Sequence, residues 1–167
     1  MTQDAYRPPQ TELVEPRAAE SGDLAKRSTR FWASMIDGAI SLVIFLPVLW
    51  GLGVFEGFPN IQPMSAGMTA LTGVLGLGVS IALHGWLVAK RGQTIGKAVL
   101  GIRMVRSDGS PLDFQRWLVR RVLPLSAVGQ IPVANQILPL VDVLFIFRAD
   151  RRCVHDLIAD TIVVNAR

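Results

Sequence analysis

Apolar and polar positions along this chain are segregated into long blocks rather than interleaved. Apolar runs occupy 31–55, 66–89 and 122–147, with polar stretches between them. A bilayer hydrocarbon core of roughly 30 Å needs about 20 helical residues at 1.5 Å each. The first two runs both exceed that length and are therefore expected to cross a membrane as helices. The third is as long but carries Pro124, Gly129, Gln130, Pro132, Asn135, Gln136, Pro139 and Asp142. Two paths fit it: a third crossing, or a hairpin that enters and leaves on one side, breaks at 129–132 and shelters its non-helical tip in protein or water.

The polar stretches predict smaller elements. Residues 1–25 contain prolines and no apolar core, so a disordered tail is expected rather than a cleavable signal. Thr94 and Gly101 frame a short amphipathic helix lying at the membrane surface. Ile102–Arg106 followed by Ser107-Asp108-Gly109-Ser110-Pro111 predicts a small cytosolic hairpin. Asp113 is placed to cap a helix running through Trp117 to Arg121. The fold class expected is therefore an all-α integral membrane protein with a small hairpin and interfacial helices, its membrane domain covering 26–164. No internal repeat supports an inverted-repeat transporter within one chain.

Composition agrees, with 50% apolar residues and 18% charged. Charge adds orientation. Of 17 Lys and Arg, five lie up to Arg30, eight between Lys90 and Arg121, and four from Arg148 onward, leaving none in 56–65. By the positive-inside rule that loop is external, and the N-terminus and the segments 90–121 and 148–164 are cytosolic. A single crossing by 122–147 would put Arg148, Arg151 and Arg152 outside, against the same rule. The basic stretch 90–121 suits anionic lipid head groups. It contains no nucleic-acid-binding module.

Asp37 is the sharpest chemical feature, because a carboxylate inside a membrane helix costs about 2.5–3.5 kcal/mol on insertion scales. At 100° per residue, Arg30, Ser34, Asp37 and Ser41 share one face of the first helix. Asp37 fits either a packing anchor or an ion-binding carboxylate. In the second helix Thr69, Gly73, Gly76 and Ser80 form a small-residue ridge suited to close helix contact. His84 follows, within reach of Asp37 if the helices are antiparallel. Gly92-Gln-Thr-Ile-Gly-Lys97 has one residue too few between its glycines, and Ala98 after its Lys, for a phosphate-binding loop. One Cys, Cys153, and two His cannot build the usual zinc cage. Likewise His155-Asp156 alone makes no metal or hydrolytic site. No cofactor, metal or enzymatic chemistry is expected.

The stretch Arg30-Phe-Trp-Ala-Ser-Met-Ile-Asp37 resembles the signature of the RDD family, which is named for one Arg and two Asp. Gly92-Gln-Thr-Ile-Gly-Lys-Ala-Val-Leu-Gly-Ile-Arg103, Asp108-Gly109 with the helix to Arg120, and Arg152-Cys-Val-His-Asp-Leu-Ile-Ala-Asp-Thr-Ile-Val164 resemble it in the same order. By that resemblance Arg30 and Asp37 match the Arg and the first Asp, and the second Asp falls at Asp156, with Asp142 the alternative. Asp160 stands where relatives often carry Gly. The resemblance implies a domain of the bacterial inner membrane, possible transport of an unidentified ligand, and no catalytic residues. Transport would place Arg30, Asp37 and Asp156 at a ligand or ion site, supported by Ser34, Ser41, His84 and Asp142. Two or three helices cannot enclose a polar path, so it also implies a homo-oligomer or larger membrane complex. The alternative is a membrane scaffold that docks a partner protein.

Overall fold

A computed structural model describes residues 24–59, 63–131 and 134–166, apart from the side chains at 136, 139 and 143. The chain is predominantly helical, and two helices are long and apolar enough to cross a membrane: α1 (Arg27–Gly51) and α2 (Ala66–Arg91), of 25 and 26 residues. Their flanks stay uncovered by the rest of the chain, with Val43 72%, Trp50 74% and Val74 67% exposed, as lipid-facing side chains must be. α1 is offset by one helical turn toward the N-terminus from the apolar run. It stops because Gly53, at φ +70°, turns the chain in the left-handed region that favours Gly. Ser65 caps α2 by accepting the Met68 N–H at 3.2 Å, and Gly92, at φ +65°, ends it.

The remaining elements, apart from the turn between the fifth and sixth helices, pack at the ends of α1 and α2 marked by Arg27 and Arg91. They are α3 (Ile95–Val99), β1 (Ile102–Arg106), α4 (Phe114–Arg116), α5 (Leu123–Val128), α6 (Ala134–Leu144), α7 (Val154–Ala159) and β2 (Thr161–Asn165). A π-helical stretch, Trp117–Val122, joins α4 to α5 in one continuous rod, capped as expected by Asp113, which accepts the Arg116 N–H at 2.6 Å. The core lies in this layer rather than between the long helices: Ala33, Val88, Ile102, Met104, Leu112, Trp117 and Val163 form one buried cluster. Gly92 and Gln93 tie α2 to β1, through Met104 N–H to the Gly92 carbonyl at 2.8 Å and Gln93 Nε2 to the Ile102 carbonyl at 2.9 Å.

Three expectations are corrected. β1 does not build its ladder across the 107–111 turn; it pairs antiparallel with β2, Ile102 opposite Asn165 and Arg106 opposite Thr161, and only Val105 bridges Pro111. After the turn, Pro111 has no N–H to give and Asp113 already caps a helix, whereas Thr161–Asn165 is a β-branched run with both faces to bury. The all-α class therefore becomes a helical fold with a two-stranded sheet. The tail expected to be disordered is ordered at its end, where Leu24 bridges Val164 and the Ala25 N–H donates to the Val163 carbonyl at 3.0 Å. Residues 1–23 lie outside the described residues. Finally, α3 is not a surface helix, since Gly96 and Lys97 are buried and it packs against α1.

The third apolar run, for which the sequence leaves a crossing and a hairpin open, is not one continuous helix. α5 ends at Val128, the chain turns through 129–131, and a second helix begins at Ala134; Pro132 and the side chains of Gln136 and Pro139 lie outside the description. Both ends of the run return to the basal layer: Arg121 lies inside it, and the Ile146 carbonyl accepts from Arg27 Nε at 3.1 Å. The turn between them reaches Gly73, where the Gln130 side chain fills the space a Cβ would need. Gly73 lies in the first third of α2, far along the helix from its basal end at Arg91.

Candidate functional site

Arg30 and Asp37 share a face of α1, but the fold gives each a different partner. Arg30 reaches α7, 126 residues away, and pairs with Asp156. Asp156 is fully buried and is gripped from the other side by Arg121 of the π-helical stretch. It also accepts the Cys153 N–H at 3.1 Å and lies 3.4 Å from Thr161 Oγ1 and from His155 Nε2. Arg30 donates further to the Arg151 carbonyl, and Arg121 to Thr161 Oγ1 at 3.1 Å. Burial opposes the charge on Asp156, yet Arg121, His155, Arg30 and the Cys153 N–H overcome it and hold the carboxyl well below its usual range.

The second cluster belongs to Asp37. Its carboxylate accepts the Thr94 hydroxyl at 2.5 Å and the Gly96 N–H at 2.7 Å, with Lys97 Nζ at 3.9 Å. Thr94 stands at the N-cap position of α3 but makes no cap bond; its hydroxyl donates to Asp37, and its oxygen accepts from Lys97 Nζ at 3.4 Å. His84 Nδ1 is 4.0 Å from Asp37 and 3.5 Å from the Ile95 nitrogen. Gly96 permits the contact. A Cβ there would collide with the Ala33 carbonyl oxygen and lie 3.1 Å from Asp37 Cγ.

Asp142 and His155 form a third group, with Nδ1 2.7 Å from the carboxylate and the His155 N–H donating to it at 3.2 Å. Cys153 brings its sulfur close enough that Asp142, Cys153 and His155 offer three potential ligand atoms within 4.8 Å of one another. Sequence spacing left His155 without such companions; the fold supplies two. They remain one short of a structural zinc site. Arg30 Nη2 sits 3.5 Å from the sulfur, opposing a cation, and burial and Asp156 push the Cys153 thiol up to about 11. The set is better described as hydrogen-bonded packing.

Each group contributes a side chain to the wall of a cavity of about 350 Å³, lined by Arg30, Ser34, Lys97, Arg121, Asp142 and His155 with Phe31, Leu125, Leu138 and Ile146 as its apolar part, while Asp37 and Asp156 stand behind that wall. Ser34 donates its hydroxyl to the Arg30 carbonyl at 3.1 Å. Ser41 is half-buried farther along α1, and the hydrogen bonds above do not reach it. Thr69, Gly73, Gly76 and Ser80 are half-buried; Gly73 faces Gln130 and Gly76 faces Phe45, so this part of the ridge packs within the chain. Sequence reasoning missed Lys97 and Arg121, which it assigned to a basic surface. The available signal was their position beside Gly96 and in an apolar rod.

Lys97 carries a pH prediction. Burial, reinforced by Arg121, brings its ammonium from 10.5 down to about 8. Between those values the unfolded chain holds the proton and the folded chain does not, so stability rises with pH from about 8 to 10.5. The gain is on the order of 3 kcal/mol. Unfolding of wild type and Lys97→Met in detergent micelles, compared from about pH 7.5 to 10.5, should show wild type gaining that stability relative to the variant, since the opposite contribution of the raised Cys153 thiol is common to both.

Asp160 ends α7 in the left-handed region, at φ 52° and ψ 57°. There Gly avoids a strain of about 1 kcal/mol, while the exposed contacts of Asp160 to Ser107 and Arg152 contribute similarly little. Asp160→Gly is expected to shift unfolding free energy by no more than about 1 kcal/mol.

Two membrane-length helices standing on a layer that contains the buried Arg30–Asp156 and Arg121–Asp156 pairs define a helical membrane-type domain. The sequence model of the RDD family matches residues 24–160, and the chain belongs to that family. An "Uncharacterized protein" of Haemophilus influenzae (strain ATCC 51907 / DSM 11121 / KW20 / Rd) is 28% identical over 142 residues, covering 84% of this chain and 78% of that one. No solved structure matches.

Proposed function

We propose that this RDD protein is a transport or ion-coupled permeation component for a small charged ligand, working as an oligomer in the bacterial cytoplasmic membrane with its N-terminus in the cytosol. The observation that carries this reading is the 350 Å³ cavity, whose wall joins Arg30, Lys97 and Arg121 to Asp142 and His155 at the base of two membrane helices. Lys97 adds a charge that can be gained or lost near pH 8 within that wall. The basic residues and the return of 122–147 to the basal layer support a re-entrant hairpin, with both that layer and the C-terminus cytosolic. A C-terminal reporter active only outside the cytosol would contradict that topology.

Asp37 enters this reading as a positioning residue, because its oxygens are committed to Thr94 and Gly96. A scaffold docking through the α2 ridge is less well supported, since Gly73 and Gly76 face Gln130 and Phe45 of the same chain. Ion or pH flux into vesicles containing purified protein should fall at least about tenfold in Lys97→Met, which removes the titrating charge from the cavity. Flux that survives unchanged in this variant, or is lacking in the wild type, would count against the proposal.

A further inference from the structure

A second concavity, of about 660 Å³, lies outside the Arg–Asp layer where α1 begins. Its rim carries Lys26, Arg27 and Arg151; its walls are Phe31 and Trp32 of α1 and Phe147 of the 3-10 turn that follows α6. The three rim cations have no carboxylate within ion-pair distance among the described residues. Arg27 holds the two walls together by donating to the Ile146 and Arg148 carbonyls, at 3.1 and 3.2 Å. Arg151 is fixed on the rim in the left-handed region, at φ 52°, with its carbonyl accepting from Arg30 and its Nη1 3.4 Å from the Leu24 carbonyl.

The walls are as informative as the rim. Trp32, near the start of a membrane-length helix, is 60% exposed and Phe147 is 67% exposed, and Trp is a side chain favoured where head groups give way to hydrocarbon. A small soluble anion would answer the rim cations and leave these aromatic surfaces in contact with nothing apolar. An occupant with an anionic head and hydrocarbon chains answers both. We propose that this groove is a binding site for an anionic phospholipid, its phosphate among Lys26, Arg27 and Arg151 and its acyl chains along Phe31, Trp32 and Phe147. This goes beyond attraction of a basic surface to a charged bilayer, because it requires the cations to act from one place.

Native mass spectrometry of the purified full chain, titrated with phosphatidylglycerol or phosphatidylcholine, tests the site. The wild type should retain phosphatidylglycerol at least tenfold better. Lys26→Gln with Arg151→Gln removes two rim charges and leaves the carbonyl-capping Arg27 in place; at about 1 kcal/mol per cation it should weaken retention roughly 30-fold. Lys90→Gln with Arg91→Gln removes the same charge from the matching end of α2 and should leave retention within about threefold of wild type. The charge-conserving pair Lys26→Arg with Arg151→Lys should bind as wild type does. Equal retention of the two lipids, equal losses from the two Gln pairs, or loss in the charge-conserving pair would each overturn the proposal.

Discussion

Asp156→Asn is expected to destabilise the protein by about 3–5 kcal/mol, because it leaves Arg30 and Arg121 buried with no countercharge. The loss should be global, since Arg30 belongs to α1, Arg121 to the rod that leads into α5, and Asp156 to α7. In cells the variant should accumulate to a small fraction of the wild-type level; in micelles its unfolding midpoint should fall at neutral pH. The acid side gives a second signature. A carboxyl held well below its usual range contributes stability that is fully present above the unfolded pKa of about 3.9 and is lost as pH falls toward the folded value. Wild type should therefore lose stability below about pH 4 more steeply than Asp156→Asn, and the two curves should converge.

Gly96→Ala is expected to be the next most damaging change, for a steric reason. The added methyl would occupy the position of the Ala33 carbonyl oxygen, which belongs to a helix backbone and cannot rotate away. α3 would have to move off α1, breaking the 2.7 Å bond from the Gly96 N–H to Asp37. Overpacking costs about 1–3 kcal/mol and a hydrogen bond to a charged group contributes about 1.5–3, so a loss of roughly 3 kcal/mol is expected. Thermal unfolding of the purified variant measures it. Gly78→Ala, where a Cβ meets open space, should unfold close to wild type and serves as the control.

The parts of the fold legible from sequence are those set by local chemistry. Run length marks α1 and α2, and Asp113 marks the start of the rod, whereas the third run leaves two paths open. Helical periodicity correctly put Arg30 and Asp37 on one face, yet their separation along the axis is roughly 10 Å of rise, enough for each to meet a different neighbour. What periodicity cannot supply is the partner. Asp156 and Gly96 lie 126 and 59 positions from the α1 residues they bind, and nothing local to either end records the pairing. The strand pairing of β1 was missed for the same reason: a turn signal is local, whereas the ladder with Thr161–Asn165 closes a long loop. Lys97 was misplaced because a lone Lys in a polar stretch is ordinarily solvated.

Arg30, Asp37 and Asp156 therefore act as two separate tethers, Arg30 binding Asp156 and Asp37 binding the start of α3. A pair of double-mutant cycles on unfolding free energy in micelles tests this most directly. Arg30→Gln and Asp156→Asn should be strongly non-additive, with a coupling of about 1–3 kcal/mol, because either change alone already empties the pair. Arg30→Gln and Asp37→Asn should add within about 0.5 kcal/mol. Additive losses in the first cycle, or coupling of Arg30 to Asp37 instead, would contradict the account.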